Sequence, residues 1–125
     1  MDLQLQDKAV IVTGGAKGIG AAAVESFATE GAKVTIAGRS PAEGISLAKE
    51  VGGIFIEAEL AEEAACRRVV DETLNAFGRI DVLVNNAGFN DGRDLDTSPS
   101  EFIESVQLNL SHVYTLVHLC RGALA

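Results

Sequence analysis

The stretch VIVTGGAKGIGAAA, residues 10–23, joins a strand-favouring run to a helix-favouring run through a cluster of glycines. Residues 10–13 suit a buried strand, and residues 21–23 suit a helix because alanine loses no side-chain entropy there. The glycines between them let the chain turn sharply and let another group approach the backbone. A strand that turns into a helix in this way leaves unpaired N–H groups at the positive end of the helix dipole. The stretch therefore predicts a phosphate-binding turn.

The composition bounds the class of protein. The 125 residues are 47% apolar and 22% charged, which allows one domain with a sizeable core. A net charge of −8 argues against nucleic acid as a partner. No stretch is apolar enough to span a bilayer, the first residues do not resemble a signal peptide, and Cys66 and Cys120 form no close pair. We therefore expect one cytoplasmic domain over residues 1–125, with no nucleic-acid or membrane partner.

Four short apolar runs alternate with helical patterns along the chain. The runs cover residues 9–13, 33–37, 53–56 and 80–84, and the helical patterns cover about 18–30, 41–51, 61–77 and 99–124. This alternation predicts an α/β fold, a doubly wound parallel sheet of Rossmann type with strand order 3-2-1-4. The fourth strand then has no later neighbour. We expect that the C-terminal strands are missing and that the chain is cut within or just after the helix at 99–124.

Several helix ends carry residues that suit them. Ser40 and Ser98 each precede a proline and stand three residues before a glutamate, which is the pattern of a capping box. Each serine is expected to accept a hydrogen bond from the amide of the third helical residue. Gly31, Gly52 and Gly78 follow three of the helices, where a left-handed residue is needed.

The glycine cluster also satisfies the dinucleotide pattern G-x-G-x-x-A within residues 18–23. A purely structural interpretation is that these glycines only allow a tight turn and close helix–sheet packing. An NAD site usually has Asp or Glu after the second strand, but residues 37–40 read Ala-Gly-Arg-Ser. Arg39, Ser40 and Lys17 therefore favour NADP(H) over NAD(H), because arginine suits bidentate phosphate contact. The alternative for Arg39 is a solvated loop charge.

Two motifs together carry a family resemblance. Residues 13–20 spell T-G-x-x-x-G-x-G, and residues 85–88 spell N-N-A-G. On both, the chain is similar over essentially all its length to the classical short-chain dehydrogenase/reductase family. Within that family, the stretch 85–95 is most similar to sugar dehydrogenases of the L-fucose dehydrogenase kind. The resemblance implies a cofactor site made of Gly14, Ala16, Lys17, Gly18, Ile19, Gly20, Arg39, Ser40, Glu59, Leu60, Asn86, Ala87 and Gly88.

The resemblance also implies roles for individual residues. Glu59 and Leu60 take the place of an acidic–apolar pair beside the adenine, and residues 86–88 pass under the adenosine ribose and the nicotinamide side. Asn109 aligns with the family's catalytic asparagine, whose backbone bends the long helix and holds a water of the proton relay.

The family's reaction also needs a serine and a Tyr-x-x-x-Lys that lie beyond the long helix. The sequence holds one tyrosine, Tyr114, and the residue four positions on is His118, so Tyr114 is interpreted as a packing residue. His112 and His118 are six residues apart and fall on different helix faces, which favours structural or surface roles and predicts no metal site.

Three functions remain as hypotheses. The first is an NADP-preferring oxidoreductase that interconverts an alcohol, such as a sugar hydroxyl, and a carbonyl, with residues 1–125 alone inactive. The second is a catalytically empty nucleotide-binding or assembly subunit. The third is a phosphoacceptor receiver module, for which the required acidic residues are not convincingly supplied. The helix at 99–124 has apolar residues around much of its circumference, so we expect it to form a homo-oligomer contact.

Overall fold

A computed structural model describes residues 2–88 and 94–124 of the chain. Strands and helices alternate until the last two helices, which follow one another. The elements are β1 (Ala9–Thr13), α1 (Gly18–Thr29), β2 (Lys33–Gly38), α2 (Pro41–Val51), β3 (Ile54–Glu57), α3 (Glu63–Phe77), β4 (Val82–Asn85), α4 (Pro99–Asn109) and α5 (Ser111–Leu124). The four strands are parallel and lie in the order β3-β2-β1-β4, so the predicted fold class and strand order are confirmed.

The central strand β1 is buried on both faces, as its continuous apolar sequence predicts. Ile11 points into a core cluster that includes residues of α3 and α5. Val10 and Val12 point into a second cluster, which includes residues of α1 and α2. The sheet is therefore the middle layer of three, with helices on both of its faces. The carboxyl ends of the four parallel strands lie at one edge of the sheet.

Most element boundaries follow the sequence, and one predicted cap does not form. Gly31, Gly52 and Gly78 take left-handed conformations with φ of 85°, 68° and 76°, as expected after a helix. Ser98 accepts a hydrogen bond from the amide of Glu101 at 3.3 Å. The matching prediction for Ser40 is wrong, since its side chain makes no cap hydrogen bond within the described chain. Its ψ of 80° departs from the extended backbone that Ser98 adopts at ψ 156°.

The single long helix expected at 99–124 is also wrong, because the structure has two helices that meet at Leu110. Leu110 has φ −126°, which is not helical. Polar side chains on both sides bond to helix carbonyls: the Asn109 amide donates to the carbonyl of Ser105, and the Ser111 hydroxyl donates to that of Gln107. Such side-chain bonds to the preceding turn bend helices.

The exposed side of α4 and α5 carries large apolar and aromatic side chains beside charged ones such as Glu101 and Glu104. These large side chains are Phe102, Ile103, Leu110, Tyr114 and Val117. The packing role expected for Tyr114 is wrong within the described chain, because the ring is 74% exposed and stacks on His118 with 5.9 Å between ring centroids. The buried face of α5 is instead formed by residues 112, 116 and 120. None of the described helices is long and apolar enough to cross a membrane.

Candidate functional site

A cleft of about 320 Å³ lies at the carboxyl ends of the strands. In sheets of this kind, ligands bind outside the carboxyl ends, where the strand order reverses, and here β1 has β2 on one side and β4 on the other. The cleft is lined by Gly14, Ala16, Lys17, Gly38, Arg39, Ser40, Ala58, Glu59, Leu60, Asn86, Ala87, Gly88, Leu108 and His112. Ten of the thirteen predicted cofactor residues are therefore brought to one cavity.

The turn between β1 and α1 leaves no room for side chains at its critical glycines. Gly14 has φ +65°, and a Cβ built there would lie 3.0 Å from the Cα of Ala87. A Cβ on Gly20 would overlap the carbonyl oxygen of Gly14. The turn that precedes α1 consequently brings backbone at Gly14, Ala16 and Lys17 to the cleft, next to the N-terminus of the helix, which is the arrangement that a pyrophosphate requires. The residues present fit a dinucleotide.

Thr13 ties this turn to the segment after β4. Its hydroxyl accepts hydrogen bonds from the amides of Asn86 and Ala87, at 3.1 and 3.0 Å, and donates to the carbonyl of Val84 at 3.3 Å. The Asn86 side chain in turn donates to the carbonyl of Gly14 at 3.1 Å. Hydrogen bonds therefore hold the turn after β1 and the segment after β4 in one fixed relation.

The two cations predicted to bind a 2′-phosphate each lie beside a carboxylate. Arg39 Nη1 is 3.5 Å from Glu59 Oε2, and Lys17 Nζ is 3.7 Å from Glu43 Oε1. All four side chains are substantially exposed, so both pairs are weak and open to competition. A phosphate that enters here must compete with these carboxylates for the cations.

The part of the cleft beyond the end of β3 combines apolar side chains with Glu59 and one imidazole. Leu60 and Leu108 line it together with His112, which is 1% exposed. Neither ring nitrogen of His112 has a hydrogen-bond partner within residues 2–88 and 94–124. Burial lowers the pKa of His112, and the backbone of Asn109 offsets only part of that effect, so the imidazole is neutral at pH 7.

Asn109 lies at the end of α4, where the helix breaks. Its carboxamide oxygen lies 3.4 Å from where a Cβ on Gly88 would stand, so the side chain is next to the segment after β4. The break that the resemblance associates with this asparagine occurs at the following residue, Leu110. Asn109 does not line the cleft itself, and its catalytic role stays a prediction.

Three other predicted residues also lie outside the cleft lining. Gly20 is buried beneath the turn, where a side chain would collide with the Gly14 carbonyl. Gly18 has open space where a Cβ would stand, and Ile19 is 84% exposed. Sequence reasoning in turn named neither Leu108 nor His112 as a cleft residue. Leu108 is in α4 and His112 is in α5, on either side of the break at Leu110, and nothing in the sequence showed that this break meets the cleft.

Among residues 2–88 and 94–124, no three His, Cys, Asp or Glu side chains lie close enough together to hold a metal ion. Cys66 is buried, and its thiol donates to the carbonyl of Leu60 at 3.3 Å. Burial, with Glu63 nearby, raises the pKa of Cys66 to about 11, so the thiol stays protonated and is a poor ligand.

Residues 8–124 match the sequence model of the family described as short chain dehydrogenase. The chain belongs to the short-chain dehydrogenase family. It is 40% identical over 115 residues to L-fucose dehydrogenase of Mus musculus, a match that covers 90% of this chain and 42% of the relative. It is 38% identical to the NADP-dependent (R)-specific alcohol dehydrogenase of Lentilactobacillus kefiri, covering 89% and 46%. It is also 38% identical to a probable galactose dehydrogenase of Rhizobium meliloti, covering 88% and 46%.

The short-chain dehydrogenase fold is also found among solved structures. The crystal structure of Cj0485 dehydrogenase superposes with a TM-score of 0.90 at 35% identity, over 99% of this chain and 49% of that one. The chain spans less than half the length of these relatives. The predicted resemblance to the family, and to sugar dehydrogenases within it, is confirmed, although residues 89–93 of the stretch that suggested the sugar enzymes lie outside the described residues.

Proposed function

We propose that this chain is the nucleotide-binding part of an NADP-preferring oxidoreductase that interconverts an alcohol and a carbonyl. The observation that carries the proposal is the junction of the glycine turn with the segment after β4, held by Thr13 at the edge of the cleft. This junction leaves backbone N–H groups and open space where a pyrophosphate would lie. Family membership supports the reaction class.

The dinucleotide, when bound, supplies or accepts the hydride. The residues of this chain bind and orient it. The turn at Gly14 and Gly20 holds the pyrophosphate on the backbone, and Arg39 with Lys17 attracts the 2′-phosphate. Asn109 stands beside Gly88 and is proposed to help position the proton relay of the complete site.

The substrate class that we propose is a sugar hydroxyl. Its support is the similarity to proteins named L-fucose dehydrogenase and probable galactose dehydrogenase. A simple secondary alcohol is the alternative, since one relative is named an alcohol dehydrogenase. A panel of sugars and secondary alcohols, assayed with a chain extended to include the family's serine and Tyr-x-x-x-Lys, would separate these two substrates.

The proposal is tested by nucleotide binding to the purified protein. NADPH and NADH are titrated by calorimetry, with Gly20→Ala as the variant that fills the turn and Gly122→Ala as the matched control in α5. We expect NADPH to bind more tightly than NADH, and Gly20→Ala to lose binding while Gly122→Ala keeps it. Binding of neither dinucleotide by the folded wild type would overturn the proposal.

We also propose that the protein forms a homo-oligomer through α4 and α5. The support is the exposed apolar face of these helices, on which Phe102 and Ile103 are 63% and 57% exposed. Light scattering at micromolar concentration should show more than one chain per particle, and Phe102→Glu should dissociate it. Leu74→Glu, at an exposed leucine of α3, is the control that should not. A monomeric wild type would contradict the proposal.

A further inference from the structure

The imidazole of His112 is a polar group buried beside the cleft with nothing described to bond it. The side chain is 1% exposed. The backbone of Asn109 is near enough to raise the pKa of His112, but neither ring nitrogen has a partner with full hydrogen-bond geometry among residues 2–88 and 94–124. Buried polar side-chain atoms are almost always hydrogen-bonded, so the imidazole calls for a partner beyond those that the described residues provide. Leucine or phenylalanine would fill the same space without that penalty.

The position of His112 identifies the end of the cleft to which it belongs. The pyrophosphate lies at the glycine turn and the ribose at the end of β2, so the base lies beyond the ribose, towards the end of β3. Ala58 and Leu60 follow β3 and line the cleft together with His112. One turn further along α5, Leu116 packs in the same core cluster as Ala58 and Leu60. His112 therefore borders the base-binding end.

The chemistry of the surroundings favours a neutral hydrogen-bonding partner. Leu60 and Leu108 suit the flat apolar faces of a base, and Glu59 lines the same cleft nearer to Arg39, with which it is paired. A neutral imidazole has one donor and one acceptor nitrogen, and the edge of adenine offers both acceptors and an amino donor. The apolar side chains give affinity for the flat base, and an imidazole that hydrogen-bonds its edge gives a preference for one base over another.

We propose that His112 is a specificity-determining residue that hydrogen-bonds the edge of the adenine base of the bound nucleotide. This inference rests on the proposed nucleotide binding. The side chain of His112 is covered, so this contact requires the imidazole to turn towards the base.

The test compares two probes that share ribose and diphosphate and differ only in the base, ADP and UDP. Their dissociation constants are measured for the wild-type protein, for His112→Leu, and for His118→Leu on the exposed face of the same helix. We expect His112→Leu to reduce the preference for ADP by about three- to tenfold, which corresponds to one hydrogen bond. His118→Leu should leave the preference unchanged. An unchanged preference in His112→Leu, or an equal loss in His118→Leu, would overturn the inference.

A second measurement does not depend on the variants. The side-chain ¹⁵N resonances of His112 are followed by NMR in the wild-type protein while ADP is added. A change in its nitrogen shifts that is larger with ADP than with UDP supports the contact, and equal or absent changes at saturation refute it. If the wild type binds neither nucleotide, the proposed function fails. If it binds ADP but His112 does not respond, only this inference fails.

Discussion

The guanidinium of Arg39 lies 3.5 Å from the carboxylate of Glu59, at the rim of the cleft and close to the end of β2. The side chains are 55% and 43% exposed, so the pair is screened by solvent. Arg39 is the residue that the sequence assigns to the 2′-phosphate of NADP, and Glu59 the residue that it assigns to the adenine. Their pairing makes the two roles interdependent, because a phosphate must compete with Glu59 for the same guanidinium.

Glu59→Gln should therefore strengthen the preference for NADPH over NADH. Removing the competing carboxylate leaves Arg39 more available to a phosphate, and an exposed pair of this kind is worth about 0.2–1 kcal/mol, or about 1.5- to fivefold in affinity. Both cofactors are titrated by calorimetry. Glu72→Gln, which makes the same charge change on the exposed face of α3, should leave the ratio unaltered. A ratio that rises equally in both variants would reflect net charge alone.

Arg39→Asp should act in the opposite direction. The loss of a charged phosphate contact and the gain of a carboxylate together should lower the NADPH-to-NADH affinity ratio by about ten- to a hundredfold, since a hydrogen bond to a charged group is worth about 1.5–3 kcal/mol. The same calorimetric titration measures it. If the ratio stays at the wild-type value, Arg39 does not bind the 2′-phosphate.

Thr13→Val should weaken both the fold and nucleotide binding. Valine keeps the shape of threonine but leaves the amides of Asn86 and Ala87 without the hydroxyl that accepts from them. A fully buried donor left unpaired costs about 1–3 kcal/mol. These two amides are partly buried, so we expect the free energy of unfolding in urea to fall by up to about that amount. Thr13→Ser retains the acceptor and should recover most of the loss. A Ser variant as unstable as the Val variant would mean that the methyl group, and not the hydroxyl, matters.

Much of the fold could be predicted from the sequence, because local pattern and global packing agree in its first part. Residues 10–12 are all apolar, so both faces of this strand are apolar, as expected for a central strand of a sheet that is covered on both sides. The glycines that follow allow the tight turn into α1, so the local pattern agrees with the global packing. The break at Leu110 could not be predicted from apolar periodicity, which continues through it. It arises from hydrogen bonds of the Asn109 and Ser111 side chains to the preceding turn.

The cleft was predictable only where its residues belong to a motif. Residues 14–17 and 86–88 were found because each motif is continuous in the sequence. The contact of His112 with the wall formed by Leu60 depends on how α5 packs against α3, and no local pattern encodes that. The pairing of Arg39 with Glu59 is hidden in the same way, because it depends on the register of β2 against β3.

Acid should destabilise the wild-type protein more than His112→Leu. The pKa of His112 in the folded chain is lowered by burial, so below about pH 6.5, the ordinary value for histidine, the unfolded chain takes up a proton that the folded chain does not. Stability therefore falls as the pH drops from 6.5. The melting temperature is compared at pH 7.5 and 5.5, above the range where Asp81 titrates, since its hydrogen bond with Arg79 lowers the pKa of that carboxyl. An equally large fall in the leucine variant would contradict the prediction.

A polypeptide of residues 1–125 alone should show no alcohol–carbonyl turnover, whereas a chain extended to include the family's tyrosine and lysine should. The titratable side chains that line the described cleft are Lys17, Arg39, Glu59 and His112, and we assign them to the phosphate and base end. A group placed to move the alcohol proton contributes about 10²–10⁴-fold to such a reaction, and Asn109 cannot replace it because a carboxamide does not titrate. The measurement is NADPH oxidation by mass-verified protein with sugars, ketones and aldehydes. Robust turnover that Asn109→Ala abolishes would mean that these residues contain a complete active site.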